Sequence, residues 1–143
     1  MGFRLTALVV IAILMGCKGP TQHDEVAATK IALQFGRDAF VTQDAENAYA
    51  LLSENAKRHV TRETFKESLL KLRPQGFSVS LVEYQPVSGE ERMYDVYLSV
   101  ESSHGRLHYE LIMERDAVTG YRVATFKPSG TPPPWSSARE KSN

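Results

Sequence analysis

Two periodicities divide the chain. From Asp24 onward, apolar residues recur three and four positions apart, at Ala28, Ile31, Ala32, Phe35, Ala39 and Phe40, the stripe of a helix buried along one face. Asp24 and Glu25 suit the positive end of its dipole. Gly36 lies inside the stripe, where it costs about 1 kcal/mol of helix propensity relative to alanine, so its place there predicts close approach by another element. A second, shorter helix is predicted behind Asp44, with Ala45, Ala48, Tyr49 and Leu52 as its apolar face and its end at Ser53-Glu54-Asn55. Thr61 caps a third, which turns Phe65, Leu69 and Leu72 inward and stops at Arg73-Pro74-Gln75-Gly76.

Past Gly76 the period falls to two. Phe77, Val79 and Leu81 alternate with serines; Tyr94, Val96, Leu98 and Val100 alternate with Asp95, Tyr97, Ser99 and Glu101; and Leu107, Tyr109, Leu111 and Met113 alternate with His108, Glu110 and Ile112. Tyr121 and Val123 begin a fourth such run. Turn residues at Ser88-Gly89, at Ser102-Ser103-His104-Gly105 and between Asp116 and Gly120 join the four strands as an antiparallel meander. Helices followed by a sheet with one apolar face predict an α+β layer in which the helices cover that face.

The first residues carry an address. Arg4 precedes a short apolar run from Leu5 to Met15, which ends before Lys18-Gly19-Pro20 and falls well short of the roughly 20 residues a membrane-spanning helix needs. Leu14-Met15-Gly16-Cys17 resembles the lipobox of bacterial lipoproteins. The resemblance implies cleavage after Gly16 and attachment of a diacylglycerol to the thiol of Cys17. A second acyl chain on the freed amine would add about 0.8 kcal/mol per buried methylene, enough for stable anchoring. An ordinary secretory signal cleaved elsewhere and an uncleaved anchor are the alternatives. Residues 17–25 then form the lipidated cysteine and a tether, whose seven residues after Cys17 reach roughly 25 Å when extended. Lys18 after the cysteine resembles the outer-membrane address of enteric Gram-negative lipoproteins. The expected location is thus the bacterial cell envelope, facing the periplasm.

The folded part, residues 26–127, has a resemblance of its own. The stretch from Ala39 to Ser53, followed by Val60-Thr61-Arg62-Glu63-Thr64-Phe65, is similar to the opening helices of small secreted proteins of the nuclear transport factor 2-like, cystatin-like superfamily. That implies three N-terminal helices packed on a curved four-stranded antiparallel sheet, often around a conical pocket. Members include isomerases, dehydratases, ligand-binding modules and non-catalytic domains. Residues 128–143, with Pro132-Pro133-Pro134 and a single large apolar side chain, Trp135, are predicted to be a disordered tail.

Composition narrows the function. Seventeen basic and 17 acidic side chains among 143 residues leave no cationic field for nucleic acid. One cysteine excludes an intrachain disulfide and a multi-cysteine zinc site, and the four histidines show no ligand spacing, so neither metal nor cofactor is expected. Enzymes of the resembled fold place an acid or base beside a phenol inside the cone, and the inward positions assigned above include no carboxylate or histidine. Phe35, Tyr49, Tyr94 and Tyr109 are therefore candidate pocket residues for a ligand and not a catalytic set. The outward sheet face, with Tyr97, His108, Ile112 and Phe126, is the candidate surface for a homodimer or an envelope partner. The leading expectation is a lipid-anchored envelope protein with a non-enzymatic ligand-binding or protein-interaction domain. An isomerase-like or dehydratase-like enzyme, reached if a one-residue register slip turns Asp95 and His108 inward together, and a dimeric scaffold are the alternatives.

Overall fold

A computed structural model describes residues 24–71 and 75–129; the expectations for the leader, Cys17, the tether up to His23, Leu72 and residues 130–143 fall outside the described residues. Helix α1 (Glu25–Gly36) begins where the Asp24 carboxylate accepts a hydrogen bond from the Ala27 amide at 3.0 Å. It runs into a π-helical turn (Arg37–Val41), in which the Thr42 amide donates to the Arg37 carbonyl at 2.9 Å, five residues back. Three consecutive residues of this wider turn, Asp38, Ala39 and Phe40, are buried.

Helix α2 (Ala45–Ala50) is capped by Asp44, whose carboxylate accepts from the Asn47 amide at 3.0 Å. Helix α2 stops at Ala50, short of the end predicted at Ser53-Glu54-Asn55. Ser53 instead caps helix α3 (Glu54–His59), accepting from the Ala56 amide at 3.1 Å. Helix α4 (Arg62–Lys71) follows, with the Thr61 hydroxyl accepting from the Thr64 amide at 3.2 Å. Four α-helices and a π-turn thus precede the sheet among the described residues, where three helices are predicted. The extra one escapes the pattern because α3 buries none of its residues and so carries no apolar stripe.

The sheet is a meander of β1 (Gly76–Pro86), β2 (Met93–Ser102), β3 (Gly105–Asp116) and β4 (Gly120–Ser129), all antiparallel and in the order β1-β2-β3-β4. Strand β4 continues two residues past the predicted boundary at 127. The inner face carries Tyr94, Val96, Leu98, Val100, Tyr109, Leu111, Met113, Tyr121 and Val123, each at most 3% exposed, as the alternation predicts. Helix α1 lies close on this face through Ala28, Ala32 and Gly36. A Cβ at Gly36 would stand 2.8 Å from Leu98 Cδ1 and 2.9 Å from Val79 Cγ2, so the glycine is what lets helix and sheet meet there. Phe35 anchors an aromatic cluster, with ring centroids 5.3 Å from Phe126, 6.1 Å from Phe40 and 6.3 Å from Phe65. Phe40 stacks on Tyr109 at 4.0 Å.

Register shifts correct two orientations. Between Gly76 and Ser78 the ladder slips at Phe77, which is 67% exposed and not inward. Between Met113↔Val123 and Ile112↔Thr125 the extra residue Ala124 bulges, so Phe126 faces Leu111 on the inner side and not the outer face predicted for it. One inserted residue exchanges the faces of everything beyond it. Among the described residues, the core and the side chains packed on it lie between Ala27 and Phe126, so a chain that starts at Lys18 contains all of them. No helix among the described residues is long and apolar enough to cross a membrane.

Candidate functional site

The edge strand β4 is fastened to the helices at one point. The Ser53 amide donates to the Val123 carbonyl and the Val123 amide to the Leu51 carbonyl, each at 2.9 Å. From that latch the chain leaves along α3, while β4 continues through the Ala124 bulge to Pro128. Between them opens a cleft of about 580 Å³, with α4 as its third side, a volume inside the range of about 300–1,000 Å³ usual for small-ligand sites. Leu52 and Phe65, both 2% exposed, and the half-buried Phe126 form its floor. Ala56 and Val60 rise on the α3 side, and Ala124 and Pro128 on the strand side.

The rim is polar. Asn55, His59, Lys71, Thr125 and Lys127 are exposed lining residues, and no carboxylate lines the cleft among the described residues. Lys127 directs its ammonium to Glu110 Oε2 at 3.1 Å, whereas Lys71 makes no ion pair among the described residues. Tyr49 braces the back of the cleft without lining it. Its hydroxyl donates to the Val60 carbonyl at 3.1 Å, its ring meets Phe65 edge-on at 5.7 Å, and the Arg62 guanidinium lies 5.3 Å from its centroid.

The other predicted pocket residues are placed elsewhere. Phe35 is fully buried in the aromatic cluster. Tyr94 packs edge-to-face with Tyr121 at 5.9 Å, and Tyr109 stacks on Phe40. Tyr94 pairs with Met113 and Tyr109 with Leu98, so the two phenols lie four ladder steps apart, roughly 13 Å. Burial alone raises the Tyr109 hydroxyl above the ordinary phenol range. These three side chains are core walls, and none lines the cleft. One buried carboxylate that sequence reasoning passed over is Asp38, 7% exposed, whose two oxygens accept from Gln34 Nε2 at 3.0 and 2.8 Å. The Gln34–Asp38 spacing of one helical turn was its only visible signal.

On the outer face Tyr97 pairs with Glu110, Ile112 with Asp95, and His108 with Ser99. Asp95 and His108 therefore do not meet. Burial, reinforced by Glu110, raises the Asp95 carboxyl; burial, reinforced by Arg106, lowers the His108 imidazole. Tyr97 is 9% exposed and Ser99 5%, so this face is less open than a polar alternation implies. Ser99 Oγ and His108 Nδ1 are buried without a hydrogen-bond partner among the described residues. The exposed large apolar side chains are instead Val26, Leu70, Phe77, Leu81 and Val118.

Among the described residues, no group of three His, Cys, Asp or Glu side chains is placed to hold a metal ion. No family model, curated protein or solved structure matches the chain. The residues that matter at the cleft, Ala56, Val60, Ala124 and Lys71, carry no motif; they converge only because α3 stands away from β4.

Proposed function

We propose that this is a lipid-anchored protein of the bacterial envelope, with a domain of the nuclear transport factor 2-like, cystatin-like kind, that binds a small apolar ligand in the cleft between α3, α4 and β4. The observation that carries the binding reading is the cleft itself, an apolar hollow of about 580 Å³ inside an otherwise closely packed domain. The floor offers aromatic and aliphatic contact, and the polar residues sit at the rim where a ligand's own polar group would meet water. The lipobox-like Leu14-Met15-Gly16-Cys17 supports the anchoring, and a tether of a few residues would keep the open cleft near the lipid surface.

The test uses a neutral fluorophore, N-phenyl-1-naphthylamine, and the chain from Lys18 to Asn143. Saturable fluorescence enhancement is expected, and Ala56→Trp, which fills the cleft, should remove it. Equal enhancement by the Ala56→Trp chain would place the apolar site elsewhere. For the anchor, Cys17→Ser in the full-length precursor should leave the leader uncleaved and stop incorporation of labelled palmitate.

A second reading, a contact surface for another copy or an envelope partner on the outer sheet face, draws on Ser99 Oγ and His108 Nδ1, buried polar atoms that ordinarily have partners. Ile112→Lys on that face should convert any dimer of the Lys18–Asn143 chain to monomer in light scattering. A monomer before and after the change would dismiss this reading.

A further inference from the structure

Resting on that binding role, we infer that the cleft takes a single-chain amphiphile with an anionic head, of the fatty-acid class, its chain against Phe65 and Phe126 and its head at Lys71. The argument begins with shape. Between the latch at Val123 and the end of β4, residues 124–128 run as extended strand for roughly 13 Å, so the hollow alongside them suits a narrow, elongated body. Its floor is apolar throughout, from Leu52 to Phe65 and Phe126. A bulky polar ligand would leave its own hydrogen-bonding groups unpaired there, which a hydrocarbon chain does not.

Charge then selects the head. Phe65, Ser68 and Lys71 all line the cleft and follow one another at spacings of three on α4, a row that winds about 120° round the helix as it climbs. Lys71 stands six residues beyond Phe65, a rise of roughly 9 Å, which carries the ammonium from the apolar floor to the exposed rim. His59, at the last position of α3, and Lys127 are the other exposed nitrogen bases there. The Lys127 charge is already committed to Glu110; that of Lys71 has no carboxylate opposite it among the described residues, and none lines the cleft. A carboxylate head gains a charge-assisted contact at this rim, a neutral head gains less, and a cationic head is repelled.

The test is isothermal titration of the Lys18–Asn143 chain with decanoate, decanol and decyltrimethylammonium, three probes with the same chain length and different heads. Decanoate is expected to bind about tenfold more tightly than decanol, the factor that one charge-assisted contact supplies, and decyltrimethylammonium more weakly than either. Lys71→Met should remove that tenfold preference of decanoate over decanol, and Lys71→Arg should restore it. Equal affinity for decanoate and decanol would overturn the anionic head and leave the apolar cleft standing. Binding of none of the three, with N-phenyl-1-naphthylamine still bound, would overturn the amphiphile assignment. Loss of the fluorophore as well would instead bring down the binding role on which it rests. Decanoate binding that emerges only after the chain is shortened to end at Ser129 would give the cleft to the C-terminal segment and overturn the assignment.

Discussion

The helical layer meets the sheet in two different ways. At α1 the contact is closed: Ala28, Ala32 and Gly36 present almost no side chain, the axis lies close to the strands, and Phe35 fills the one larger gap. At α3 and α4 the layer stands off. Helix α3 has no buried residue, is six residues long, and is held to β4 chiefly by the Leu51–Ser53 latch. Small residues let elements approach; a polar helix on a hydrogen-bonded hinge keeps them apart. The closed half carries the stability of the domain, and the open half is free to carry a ligand.

Changes in the closed half should be the costliest. Phe35→Ala removes the ring common to three aromatic contacts, and a loss of about 3–5 kcal/mol is expected in urea unfolding. A loss below about 1 kcal/mol would mean that the cluster is not the centre of the core. Gly36→Val should cost about 1–3 kcal/mol, because its Cβ already meets Leu98 and Val79 closer than atoms can pack. A neutral or stabilising result would contradict the close approach of α1.

In the open half the expected effect is smaller and of a different kind. Ser53→Ala deletes the α3 cap and should cost about 1 kcal/mol, with weaker N-phenyl-1-naphthylamine binding in the folded protein. Gly36→Val, whose added side chain meets Leu98 and Val79 and not the cleft lining, should leave that affinity unchanged wherever the protein is still folded. The reverse pattern would merge the two halves that the structure separates.

Much of this division is legible before any coordinates. Inward residues of β2 and β3 follow from strict alternation, because neither strand is interrupted within their shared ladder. Gly36 declares its close contact by standing where a helix prefers alanine. The bulges at Phe77 and Ala124 are not legible, since an extra residue leaves no mark in composition, and that is why Phe126 belongs to the core and cleft instead of the outer face. Helix α3 is hidden for a related reason: with nothing buried, it has no period. The cleft was beyond reach altogether, because it is a gap between elements. Two predicted pocket residues act on it from behind, Tyr49 through Val60 and Phe65 and Phe35 through Phe65 and Phe126.

The smallest expected effect concerns the outer face and pH. His108 is held below its ordinary value of 6.5 by burial and then by Arg106. Its contribution to stability is present above that value and is lost as pH falls through the lowered folded one. Asp95, raised by burial and Glu110, works in the other sense: its contribution is complete below the ordinary carboxyl range and is lost as pH rises through its raised value. His108→Gln should therefore flatten the fall in stability on mild acidification below pH 6.5. An unchanged slope in that variant would show that the imidazole is equally protonated in the folded and unfolded chains.

The open cleft as a ligand site is the claim on which the account turns, and methyl spectra of the Lys18–Asn143 chain titrated with decanoate address it directly. Saturable shifts are expected at the methyls of Ala56, Val60 and Ala124, with those of Ala28 and Ala32 unmoved. Shifts confined to Ile112 and the outer face, or no shift at any methyl up to the solubility of the ligand, would contradict it.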